Sequence, residues 1–434
     1  MIVSFFNRLA IFLAAGMVFL IAASEFLFIN EYISFVVSRS YIYALCLPFL
    51  IALHFKYFRI NLPWFYLYIL LIFLIQLALV GFSVATGYID LSYALDIAFS
   101  STIVQFVFLL FAPVIFFDAK LFFRYSVFFG FSALFFVLYT LTSRYSTLAS
   151  SYLGSYYRGD VDFYLDVHYF PDYFSILALI FMAMSKRGWI YLYVSAFAMA
   201  ALLGSRTSLV GLLLGLLIYY FTLSRADRRH VGSFFRYGSF FTIALGVILF
   251  LINQNSELDV YKLAERLFGE EGYSQAFGDR GNIFFKSFEN ISASCLLFGC
   301  PGFELVELSS KGAYIHNWLS YLFSYGAFLF FSTVVLFLFP FRGIFLGRRR
   351  YKKMAPVLLF LLFTIILSRA YVWSFWALLI SFVYLYIYQE DKIGINVGLC
   401  VSPAVSHTQR QLPPSPLSPS TFLLWCISVH PSDS

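Results

Sequence analysis

The sequence predicts an all-α, polytopic transmembrane helical bundle of about twelve spans, and three observations carry that prediction. Hydrophobic residues make up 61% of the chain and charged residues only 12%, with a mean hydropathy of +0.83, a balance unlike that of a soluble domain. Apolar runs of about 20 residues recur as far as residue 388 without the strict alternation a barrel strand needs, so helices alone can satisfy the backbone in lipid. Lys and Arg gather in alternate breaks between these runs, which is the charge signature of cytoplasmic connections.

Taken in order, spans are expected at 9–29, 33–53, 62–82, 94–117, 121–141, 169–184, 189–203, 209–223, 234–252, 317–339, 355–367 and 371–388. The first follows Arg8, and its Ala22, Ala23 and Ser24 imitate a signal-peptidase site, but the run is long enough to span uncleaved. The sixth, seventh, eighth and eleventh are short for a hydrocarbon core of about 30 Å, which predicts thinned, broken or re-entrant segments. Lys56 with Arg59, Lys120 with Arg124, Lys186 with Arg187, Arg225 with Arg228 and Arg229, and the run Arg348, Arg349, Arg350, Lys352, Lys353 mark the cytoplasmic side. Both termini then lie inside, and two long connections, about 142–170 and 253–315, lie outside, the second being large and partly helical.

The formal charge of +7 sits in those breaks, so it reads as an orientation signal, and no nucleic acid is expected as a partner. Residues 1–390 form the transmembrane domain. Residues 391–434 change character, with Pro403, Pro413, Pro414, Pro416 and Pro419 among Ser and Thr, and are expected to be a disordered cytoplasmic tail. The five cysteines show no CxxC spacing and no nearby His pair, so neither a metal site nor a cofactor is expected. Cys295 and Cys300 can bridge if their loop faces an oxidising compartment, and are otherwise loop thiols.

Residues with chemical potential collect in the two outer connections and in one short break. The first connection carries Arg144, Arg158, Asp160, Asp162, Asp166, His168 and Asp172 among tyrosines, a mixture that suits sugar faces and hydroxyls but also describes an interfacial tyrosine belt. The second carries Lys262, Glu265, Arg266, Asp279, Arg280, Lys286 and Glu289, then Phe298-Gly299-Cys300-Pro301-Gly302-Phe303, and ends at Tyr314-Ile315-His316-Asn317. His316 and Asn317 stand at the entry to a span whose N-terminus faces outward, where a neutral imidazole can take a proton from a hydroxyl or anchor the interface. The break Gly204-Ser205-Arg206-Thr207-Ser208 holds an arginine with no carboxylate neighbour in sequence, so Arg206 either meets an anion or braces a turn.

Three of these stretches resemble the O-antigen polymerase and O-antigen ligase superfamily: Gly204-Ser-Arg-Thr-Ser-Leu; Asp279-Arg280-Gly-Asn-Ile-Phe-Phe-Lys-Ser-Phe leading to Phe298-Gly299-x-x-Gly302; and His316-Asn317-x-Leu319-x-x-Leu322-x-x-x-Gly326. The resemblance covers roughly residues 200–330. It implies a metal-independent, GT-C-type glycosyltransferase in the bacterial inner (plasma) membrane, with its active site facing the periplasm. The implied donor and acceptor are undecaprenyl-diphosphate-linked glycans. By the same resemblance Arg206 and Arg280 meet the diphosphate and His316 serves as base, with Arg158 a further arginine of the pattern. Arg144, Arg266 and Asn317 are the remaining expected substrate contacts. The favoured reading is a polymerase joining repeat units; the alternative is a ligase that moves glycan to lipid A core, and a lipid-linked oligosaccharide flippase is a third. A chain-length regulator is a candidate partner. One departure stands out: Asp172 follows Pro171 where the family pattern leads one to expect a neutral amide.

Overall fold

The computed structural model describes residues 2–29, 32, 39–58, 63–143, 156–158, 161–163, 169–184, 188–203, 205–222, 282–283, 285–307, 318–367 and 373–400. They form an all-helical protein with one two-stranded hairpin. The helices are α1 (Ile2–Ile29), α2 (Arg39–Phe58), α3 (Trp64–Ala85), α4 (Leu91–Ala98), α5 (Val104–Phe117), α6 (Ala119–Ser143), α7 (Tyr169–Ala183), α8 (Trp189–Leu202), α9 (Arg206–Thr222), α10 (Ala293–Phe298), α11 (Phe303–Val306), α12 (Leu319–Phe345), α13 (Arg349–Leu367) and α14 (Phe375–Cys400). A helix meets every expected span except 234–252, which lies outside the described residues.

Among the described residues four segments are long and apolar enough to cross a membrane by length and composition: Phe5–Phe28, Trp64–Ala85, Ala119–Thr140 and Leu319–Phe345. Helices of this length and composition are those of a membrane protein. The shortness of α7 matches its interior position. Every residue of α7 is buried, and α14 is buried from Phe375 to Ile387, whereas α3 leaves Trp64, Leu67, Leu71, Leu74 and Phe82 exposed. An interior helix meets protein rather than lipid on all sides, so it need not match the thickness of the hydrocarbon core, and its sequence is apolar all round.

The expected span at 94–117 is one helical rod with an internal fault: α4 and α5 are joined through a π turn at Phe99–Ile103. Asp90 starts α4 by accepting from the Tyr93 amide at 2.7 Å, the usual way an orphan helix donor is satisfied. At the fault Thr102 donates to Gln76 Oε1 at 3.3 Å, and the Gln76 amide donates to the Tyr321 hydroxyl at 2.7 Å, a buried polar chain joining α3, the π turn and α12. Among the described residues the one hairpin pairs Tyr156–Arg158 with Val161–Phe163, Arg158 opposite Val161. It falls in the long connection at about 142–170.

Packing sets which helix ends share a face. The helix α9 lies against α7, α8 and α13, and two of its glycines permit this. A Cβ on Gly211 would stand 2.5 Å from the Phe360 ring, and one on Gly215 would stand 2.5 Å from Leu179 Cδ2. Small residues four apart let apolar helices approach closely. Gly211→Ala is therefore expected to destabilise by about 1–3 kcal/mol through overpacking. Gly81→Ala, where the added Cβ meets nothing within 4 Å, should be neutral or stabilising by about 0.5–1 kcal/mol. Thermal unfolding in detergent reads both, and equal shifts would overturn the assignment of Gly211 to a close contact.

The start of α12 meets the last turn of α13, because Trp318 N–H donates to the Ile365 carbonyl at 2.8 Å, and the start of α9 is tied through Ser208 and Asp172 to Trp373, which follows α13. The basic turn Arg348–Lys353 sits at the other end of α12 and α13. Residues 1–390 and 391–434 are two compact units. Within the second unit residues 391–400 are helical. The first tail proline is Pro403, so no residue before it removes a ladder N–H.

Candidate functional site

Arg206 is the first residue of α9, and Ser205 is its cap position: the Ser205 carbonyl accepts from Leu209 N–H at 3.1 Å, closing the first helical turn. The Ser205 and Ser208 hydroxyls are 2.8 Å apart, and Ser208 donates to Asp172 Oδ1 at 2.5 Å. A hydroxyl has one hydrogen, so Ser205 must be the donor to Ser208. The second Asp172 oxygen accepts from Trp373 Nε1 at 3.0 Å. The relay runs from Ser205 through Ser208 to Asp172, with Trp373 closing it from the other side.

Asp172 is 1% exposed in the first turns of α7, so a carboxylate with both oxygens occupied joins α7, α9 and the entry to α14. Its place at the start of α9 also suits the positive end of that helix. Arg206, half-buried, is a cation at that same positive end, a placement worth about 0.3–1 kcal/mol in the unfavourable direction. The free backbone N–H groups and the dipole at this helix start favour an anion, and Arg206 is the residue that begins the helix. The sequence shows no carboxylate near Arg206; the fold supplies one two residues along the helix, through Ser208.

The Asp172 departure now has a cause. Two donors face this side chain, Ser208 O–H and Trp373 N–H, and an amide offers only one acceptor oxygen to them. A carboxylate accepts both.

A second buried acid lies at the end of α1. Glu25, 2% exposed, receives Arg39 Nε at 3.0 Å and Nη2 at 2.9 Å on Oε1, and the Arg39 guanidinium lies 5.0 Å from the centre of the Tyr169 ring. The Tyr169 hydroxyl meets that of Tyr43, and its ring lies 4.7 Å from Phe375, whose neighbour ring is Trp373 at 5.9 Å. The Glu25 pair and the Asp172 relay thus form one aromatic-bridged rim across the ends of α1, α2, α7, α9 and α14. Sequence reasoning missed Glu25. Its signal was available, since it is the only charged residue in the run 9–29, and an ionisable group within a span marks a partner or a site.

A third acid, Glu304 in α11, is 3% exposed and accepts from the Tyr93 hydroxyl at 2.7 Å. Tyr88, in the turn before α4, donates to Glu307 at 3.5 Å. Burial first, then the charges of Glu307 and Glu304, push its hydroxyl above the usual tyrosine range.

Of the residues expected from sequence to form the site, Arg206 stands at the helix start just described, and Arg158 lies in the hairpin, where only its backbone is described. Arg280, His316, Asn317, Arg266 and Arg144 lie outside the described residues. Other motif positions are placed. Cys295 and Cys300 are joined by a disulfide, and Gly299 and Gly326 meet backbone to backbone. The chain matches no protein-family model, no curated protein and no solved structure. The family resemblance therefore rests on the motif residues of the sequence alone.

Proposed function

We propose that the chain is a multi-pass inner-membrane glycosyltransferase of the O-antigen polymerase kind, joining undecaprenyl-diphosphate-linked oligosaccharide repeat units at the periplasmic face. The observation that carries this reading is Arg206 at the positive end of α9, in a turn whose serines are held by the Ser205–Ser208–Asp172 relay. In this reading its guanidinium stabilises the diphosphate as it leaves the donor sugar. In the proposed reaction an acceptor hydroxyl oxygen attacks the anomeric carbon, the bond to the diphosphate breaks, and the bonding pair departs with the diphosphate. His316 takes the hydroxyl proton. Arg206 and Arg280 hold the diphosphate, while Arg158, Arg144, Arg266 and Asn317 contact the glycan.

The periplasmic orientation is supported by two facts. The start of α9 lies at the end of the bundle opposite the basic turn Arg348–Lys353, and the disulfide Cys295–Cys300 belongs to the connection expected outside. A single cysteine replacing Glu270, in a chain with its other reactive thiols removed, is expected to react with a membrane-impermeant maleimide in intact spheroplasts. Labelling only after the membrane is opened would overturn the orientation.

The function itself is tested with purified chain, a defined lipid-linked repeat unit, lipid A core as a competing acceptor and no added metal. Lengthening of the glycan on its lipid carrier is expected. Transfer to lipid A core instead identifies a ligase, and no transfer to either acceptor refutes the glycosyltransferase reading.

A further inference from the structure

The helix α12 is broken at Gly326, where φ is +78° and ψ is 170°. A break inside a span strands backbone groups that lipid cannot satisfy, so other backbone must fill it. Here the filling comes from the disulfide-closed turn. In an unbroken helix the Phe323 carbonyl would receive the N–H of residue 327. It receives Cys300 N–H at 3.1 Å.

The fit is backbone against backbone. A Cβ on Gly299 would stand 2.4 Å from the Tyr325 carbonyl carbon and 2.7 Å from Gly326 N; one on Gly326 would stand 2.5 Å from the Leu297 carbonyl oxygen and 2.6 Å from Gly299 N. Both glycines also have positive φ, so neither place tolerates a side chain on conformational grounds alone.

The turn is shaped on both sides of the contact. Ser292 caps α10 by accepting from Cys295 N–H at 3.2 Å, and Phe303 N–H returns to the Cys300 carbonyl at 2.9 Å. The Phe303 ring lies over Phe323 at 5.5 Å, and Gly302 lies against Ile89 and Tyr93 beside α4. The segment therefore bridges α4 and the break in α12.

We propose that residues 292–307 form a redox-locked wedge: the Cys295–Cys300 bond holds the turn in the shape that fills the break, and its reduction releases the wedge and loosens the outer stub of α12. The bond forms by exchange with the disulfide of a thiol oxidoreductase in the outer compartment. One Cys thiolate attacks that disulfide, the second displaces the mixed disulfide, and the partner leaves as a dithiol carrying the two electrons. The proposal is independent of the chemistry assigned to Arg206.

Amide hydrogen exchange on the full chain in lipid nanodiscs tests it, with alkylation and mass measurement counting open thiols. On phosphine reduction, amides between 321 and 328 are expected to exchange about ten-fold faster while those in the middle of α7 hold their rates. Protection within about two-fold of the oxidised protein, with Cys295 and Cys300 both alkylated, overturns the proposal. A Cys295→Ala, Cys300→Ala double variant should show the fast rates without reductant. Oxidised-like protection in that variant overturns the proposal equally, and the reduction arm does not depend on the variant accumulating.

Discussion

Arg206→Lys is expected to lower glycan transfer by about 10²–10³ while the amount of protein in the membrane stays near normal. Lysine keeps the charge but loses the planar fork that meets two phosphate oxygens at once, so the loss should appear in turnover more than in donor binding. Arg206 is only half-buried at the first position of α9, where a change of side chain leaves the Ser205–Leu209 backbone bond and the Ser208–Asp172 bond in place. The fold should therefore tolerate it. Thermal unfolding and transfer measured on one preparation separate the two roles. A variant with a wild-type midpoint and wild-type transfer removes Arg206 from the site, and the proposed function loses its main support.

Much of the fold was legible because lipid permits so few structures. The expected spans at 62–82, 121–141 and 189–203 reappear as α3, α6 and α8 with ends shifted by a few residues, since hydropathy and basic breaks report on the same constraint. Faults within helices were not legible. The π turn at Phe99–Ile103 and the break at Gly326 depend on partners far away in sequence, Gln76 in one case and the Gly299 turn in the other. Gly299 and Gly326 were singled out as motif letters, yet their spacing gives no sign that they touch.

The candidate site was half-legible for a related reason. Arg206 attracted attention as an ionisable residue in an apolar setting, and its cap serines are readable from Ser-x-x-Ser spacing. The carboxylate that completes the relay comes from α7, and Trp373 from the entry to α14. No local pattern connects residues so distant. Glu25 and Asp172 could have been paired with donors only by knowing which helix ends meet.

Asp172→Ala is expected to cost about 2–4 kcal/mol, because it strands the Ser208 hydroxyl and the Trp373 indole N–H in a site closed to water. Asp172→Asn should cost about half as much, since the amide oxygen accepts one donor while its NH₂ meets the other donor-to-donor. Trp373→Phe removes that second donor at little change in shape, so it should weaken the wild type but relieve the Asn variant. The double variant Asp172→Asn, Trp373→Phe is thus expected to be more stable than the sum of the single changes predicts, with a coupling of about 0.5–3 kcal/mol in a double-mutant cycle. Thermal or denaturant unfolding in detergent supplies the four values. Strict additivity would falsify the account of why a carboxylate, and not an amide, stands at residue 172. The coupling would instead tie the acid to the indole that faces it, and through Ser208 to the turn that presents Arg206.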